Sequence, residues 1–106
     1  MSHDCCVVFV TAPDQDQARN IADAVLNARL AACVNIVPQL RSLYWWEGKI
    51  QDDTEVLCIM KTTRDKFAAL AEAVRAAHSY EVPEIIALPI VDGHEPYMKW
   101  IHENVI

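Results

Sequence analysis

The sequence predicts an α+β domain, a four-stranded antiparallel sheet with two helices on one face. Three observations carry this reading. Two long runs rich in Val, Ile, Thr, Tyr and Trp, from Ala32 to Trp46 and from Lys49 to Thr63, flank a Glu47-Gly48 break. Two shorter apolar runs, Cys5 to Thr11 and Ile85 to Val91, lie near the ends of the chain. Between these runs, apolar residues recur with the 3.6-residue period of an amphipathic helix, once on each side of the hairpin.

Cys5 to Thr11 is apolar almost throughout and reads as a central strand covered on both faces, stopped by Ala12-Pro13. Asp14 followed by Gln17 resembles a capping box. Ala18, Ile21, Ala22, Val25 and Leu26 then form a helical stripe, so the first helix is expected from Asp14 to Arg29. The hairpin follows, with Gly48 supplying the positive φ of a primed turn. Each arm of about 14 residues reaches about 46 Å at roughly 3.3 Å per residue. A compact domain of about 100 residues is only about 34 Å across. The tip, with Tyr44, Trp45, Trp46 and Ile50, must therefore project from its own globule. Contiguous exposed apolar surface of this kind marks association, and a second copy of the chain is the expected recipient. Pro38 cannot donate to a ladder and marks an edge or a bulge.

Thr62, Thr63 and Asp65 supply helix-start chemistry, and Phe67, Leu70, Ala71 and Val74 carry a second stripe ending near His78. Tyr80 to Glu84 is a connection containing Pro83. In the last strand, Ile85 to Val91, Pro89 again signals an edge or an interruption. Asp92-Gly93 turns, and Glu95 to Asn104 forms a short terminal helix presenting Tyr97, Trp100 and Ile101. The order strand, helix, hairpin, helix, strand is the ferredoxin-like βαββαβ sandwich, here with a long central hairpin and a short C-terminal helix. Both helices fall on one face, while Val34, Ile36, Val56, Cys58 and their neighbours make both faces apolar. An oligomer is again implied.

At 106 residues the chain, 1–106, reads as a single domain. No run approaches the roughly 18 apolar residues of a membrane span, and the start lacks the basic region of a signal peptide. A cytoplasmic protein is expected. A net charge of −6 with scattered basic residues excludes a polyanionic partner such as nucleic acid. Cys5, Cys6, Cys33 and Cys58 contain no C-x-x-C pair and read as reduced, small buried hydrophobes rather than a zinc site. His3 with Cys5 and Cys6 could capture Cu or Ni adventitiously, at an end expected to fray. No nucleophile elbow, H-E-x-x-H or Gly-rich loop is present, and no enzyme is expected.

The segments A-A-C-V-N-I-V-P (31–38), S-L-Y-W-W-E-G-K-I (42–50), Glu55, K-T-T (61–63) and H-S-Y-E-V-P-E (78–84) resemble the CutA family. V-V-F-V-T-A-P, L-P-I-V and Y-M-K-W fit the same pattern, so the resemblance covers nearly the whole chain. It implies a non-enzymatic homotrimer assembled through strand edges, similar to PII-type signalling proteins. It also implies divalent-cation tolerance, a response to metal ions and, for some members, copper binding. The expected cofactor is Cu(II) or another divalent cation, with no organic cofactor. Members with a copper site carry a Cys just before T-A-P and two adjacent histidines after the second helix. Here Val10 and Ala77-His78 stand there, leaving His78 as the metal ligand of that set. Glu81 or Glu84 would be its nearest carboxylate partners; a histidine stabilised by the helix dipole is the structural alternative. Tyr44, Trp46, Glu55, Lys61, His78, Tyr80, Glu84 and Trp100 are the residues expected in clefts between subunits, with Glu84 as a partner for Lys61. The other reading is a PII-like regulatory trimer binding a small anion or metabolite there, its hairpins engaging a protein partner.

Overall fold

The computed structural model describes residues 4–106. The N-terminal cluster proposed around His3 therefore lies partly outside the described residues. The elements are β1 (Cys5–Ala12), α1 (Gln15–Asn27), β2 (Cys33–Trp46), β3 (Lys49–Thr63), a single 3₁₀ turn (Arg64–Lys66), α2 (Phe67–Ala77), β4 (Ile85–Pro89) and α3 (Glu95–Asn104). The sheet runs β2-β3-β1-β4, antiparallel throughout, which is the ferredoxin-like order.

Local chemistry explains the helix boundaries. Asp14 caps α1 by accepting the backbone N–H of Gln17 at 2.8 Å. The reciprocal half of the expected box is absent, because the Gln17 side chain instead accepts from the backbone and hydroxyl of Ser79. α1 ends at Asn27, two residues early, in a Schellman motif. Leu30 N donates to Val25 O and Arg29 N to Leu26 O, with Arg29 left-handed at φ 59°. After β3, the Thr63 hydroxyl donates to the Asp65 carboxylate at 2.6 Å, and the 3₁₀ turn delays α2 until Phe67.

Alternation along the strands sorts the core. Val8, Val10, Val56, Cys58 and Met60 face α1 and α2 and pack on Ile21, Val25, Leu70 and Val74. Val34 and Ile36 lie on this same covered face, and Leu26 is exposed rather than part of the buried stripe. The opposite face carries Val7, Phe9, Leu57 and Ile59, half-buried, with Val37, Ile86 and Leu88 exposed. It is not wholly bare, because α3 covers one end of it. Met98, Ile101 and Val105 there enclose Cys5. Cys5 and Cys6 thus enter opposite cores, as their adjacency in a strand requires. Burial pushes the thiols of Cys5, Cys6 and Cys58 above their ordinary value, so none is a ready nucleophile.

β1 pairs with β3 only as far as Val56; beyond it, Leu40–Trp46 and Lys49–Glu55 pair with each other alone. This two-stranded ribbon makes the molecule 43 × 26 × 22 Å. Pro38 and Gln39 together stand against the single residue Val56, a bulge with Gln39 at φ 64°. Both prolines of the sheet lie on its edge strands, β2 and β4, as expected from their missing N–H. At the tip Glu47 (φ 52°) and Gly48 (φ 77°) are both left-handed, a type I′ turn. Nothing lies within 4 Å of a Cβ added at Gly48, so only backbone strain opposes substitution there. Gly48→Ala is expected to lower stability by about 1 kcal/mol, read as a lower urea midpoint at unchanged slope.

Candidate functional site

Where the ribbon leaves the sheet, it overhangs the loop from α2 to β4 and creates a cleft of about 870 Å³. One wall is residues 41–46 of β2, the other Ser79, Tyr80, Glu81, Val82 and Glu84, with Thr11 and Glu55 at the base. The bulge decides which side chains meet there. By inserting one residue, it brings Leu40, Ser42, Tyr44 and Trp46 into register with Glu55, Asp53, Gln51 and Lys49, on one face of the ribbon.

Two tyrosines are tied to carboxylates in this region. Tyr80 donates its hydroxyl to Glu55 Oε2 at 2.7 Å, and Tyr44 donates to Asp53. The hydrogen bond to Asp53, with a smaller contribution from burial, pushes the Tyr44 phenol up to about 12. Burial, and then the bond to Glu55, push the Tyr80 phenol upward from its ordinary 10.0. The folded chain therefore favours the neutral Tyr80 phenol. The stability this contributes is whole below pH 10 and declines as pH rises from there. Tyr80→Phe is expected to flatten that alkaline decline. It should also cost about 1–3 kcal/mol at neutral pH, because Glu55 loses its donor; urea titrations between pH 7 and 11 read both effects.

His78 sits beside the cleft and organises the loop. Its Nδ1 accepts the backbone N–H of Tyr80 at 3.1 Å, and its Nε2 lies 2.6 Å from the carbonyl oxygen of Thr11. Nδ1 is the acceptor, so Nε2 carries the proton and donates. The ring also lies against Tyr80, centroids 4.6 Å apart. With both nitrogens engaged, a metal could take His78 only by displacing one of these bonds. Among the described residues, no three His, Cys, Asp or Glu side chains are grouped to hold a metal ion.

Of the residues expected in a cleft, Tyr44, Trp46, Glu55, Tyr80 and Glu84 line this one, and His78 braces it. Lys61 and Trp100 do not reach it within one chain. The Lys61 ammonium donates to the Asn35 side chain rather than meeting Glu84, and Trp100 stacks on Tyr97 along α3 at 5.5 Å. Sequence reasoning missed Arg41, which enters the wall and is held bidentately by Asp52 at 2.7 and 3.0 Å. Their diagonal relation across the hairpin was available only once the bulge had fixed the register.

Residues 6–104 match the family model described as CutA1 divalent ion tolerance protein. A divalent-cation tolerance protein CutA of Thermus thermophilus is 51% identical over 98 residues, covering 92% of this chain and 95% of that protein. Protein CutA of Mus musculus is 52% identical over 95 residues, 90% of this chain. The aligned stretch is 54% of that longer mouse protein, so the chain spans about half of it. Among solved structures, CutA1 from Oryza sativa superposes with a TM-score of 0.93 at 46% identity, covering 96% of this chain and 94% of that one. A CutA from Archaeoglobus fulgidus, described as periplasmic, superposes with a TM-score of 0.93 at 44% identity, covering 96% and 99%.

Proposed function

The chain belongs to the CutA1 family of divalent ion tolerance proteins, and on that basis we propose that it acts without catalysis, as a cytoplasmic homotrimer that responds to divalent metal ions, copper foremost. The observation that supports assembly is the ribbon. It leaves the sheet with Leu43, Trp45 and Ile50 exposed, while an apolar row on the open sheet face awaits cover. No helix among the described residues is long and apolar enough to cross a membrane.

In this reading the metal is held at junctions between copies, since no three His, Cys, Asp or Glu side chains are grouped among the described residues of one chain. The exposed Glu81 and Glu84 are the donors this chain would bring to such a junction. Carboxylates with imidazole or water suit Cu(II) and Zn(II). Sedimentation of the chain, followed by calorimetry with Cu(II) and Zn(II), tests the reading. A trimer binding Cu(II) saturably, and more weakly after Glu81→Gln with Glu84→Gln, is the expected result. A folded chain that stays monomeric at micromolar concentration, or a trimer indifferent to both ions, overturns it.

A further inference from the structure

We draw no further inference here: the strongest candidate, the cavity of about 650 Å³ beside the 3₁₀ turn, lined by Arg64, Lys66 and His102 together with Asp4 and Asp65, identifies no ligand, since its mixed charge selects neither sign and no buried polar side chain among the described residues is left without a partner to point to one.

Discussion

Replacing Leu43, Trp45 and Ile50 together by Ser is expected to convert the proposed homotrimer to monomers without unfolding the chain. These side chains are 61%, 71% and 62% exposed, and all three lie on one face of the ribbon, with Trp45 directly opposite Ile50. None belongs to the core clusters of its own chain. Burying a large apolar side chain is worth about 1.5–3 kcal/mol. Losing three from an interface removes roughly 5 kcal/mol, more than three powers of ten in association. Sedimentation across nanomolar to micromolar concentrations reads the shift, and an unaltered far-ultraviolet spectrum shows that the fold survives. A triple variant associating as tightly as its parent would mean that the ribbon is not where copies meet.

The second large effect is expected on removing Gln39. With the extra residue gone, Pro38 alone faces Val56, and the distal arm must slip by one position or buckle. A one-residue slip turns every distal side chain to the other face. Tyr44 then leaves the side shared with Glu55, and the Arg41–Asp52 and Tyr44–Asp53 bonds are lost together. Seven cross-strand pairs, Leu40–Glu55 to Trp46–Lys49, are affected. At about 0.2–1 kcal/mol each, this comes to roughly 1–7 kcal/mol. Urea titration and the near-ultraviolet signal of Trp45 and Trp46 report it. Gln39→Gly should behave oppositely, neutral or stabilising by up to about 1 kcal/mol, because φ 64° suits glycine. A deletion as mild as the substitution would show that the bulge does not set the register.

Local rules explain which parts of this molecule could be read from residues. The primed turn, the Asp14 cap, the stripe Leu70-Ala71-Val74 and both edge prolines each depend on neighbours within a few positions, and each appears in the structure. The faces of the ribbon could not be read, because one extra residue reverses parity and Pro38 is equally compatible with an edge strand without a bulge. The terminal helix was legible as a helix, but not as the cover for Cys5, since that packing depends on how it returns across the sheet. His78 shows the same limit most clearly. Its position after the second helix suggested a dipole-stabilised imidazole or a metal ligand, whereas its partners are main-chain groups of Thr11 and Tyr80. The first of these is 67 residues away, and backbone acceptors leave no mark in composition or periodicity.

The prolines on both outer strands bear on how growth of the sheet is stopped. A strand edge that can add one chain can in principle add another without end, giving fibres. Here Pro38 and the bulge divide the edge of β2 into the stretches Cys33–Val37 and Leu40–Trp46, and β4 ends at Pro89 after five residues. In the proposed assembly, pairing between copies would be confined to short stretches in fixed register, a geometry suited to closing into a ring rather than propagating as a filament.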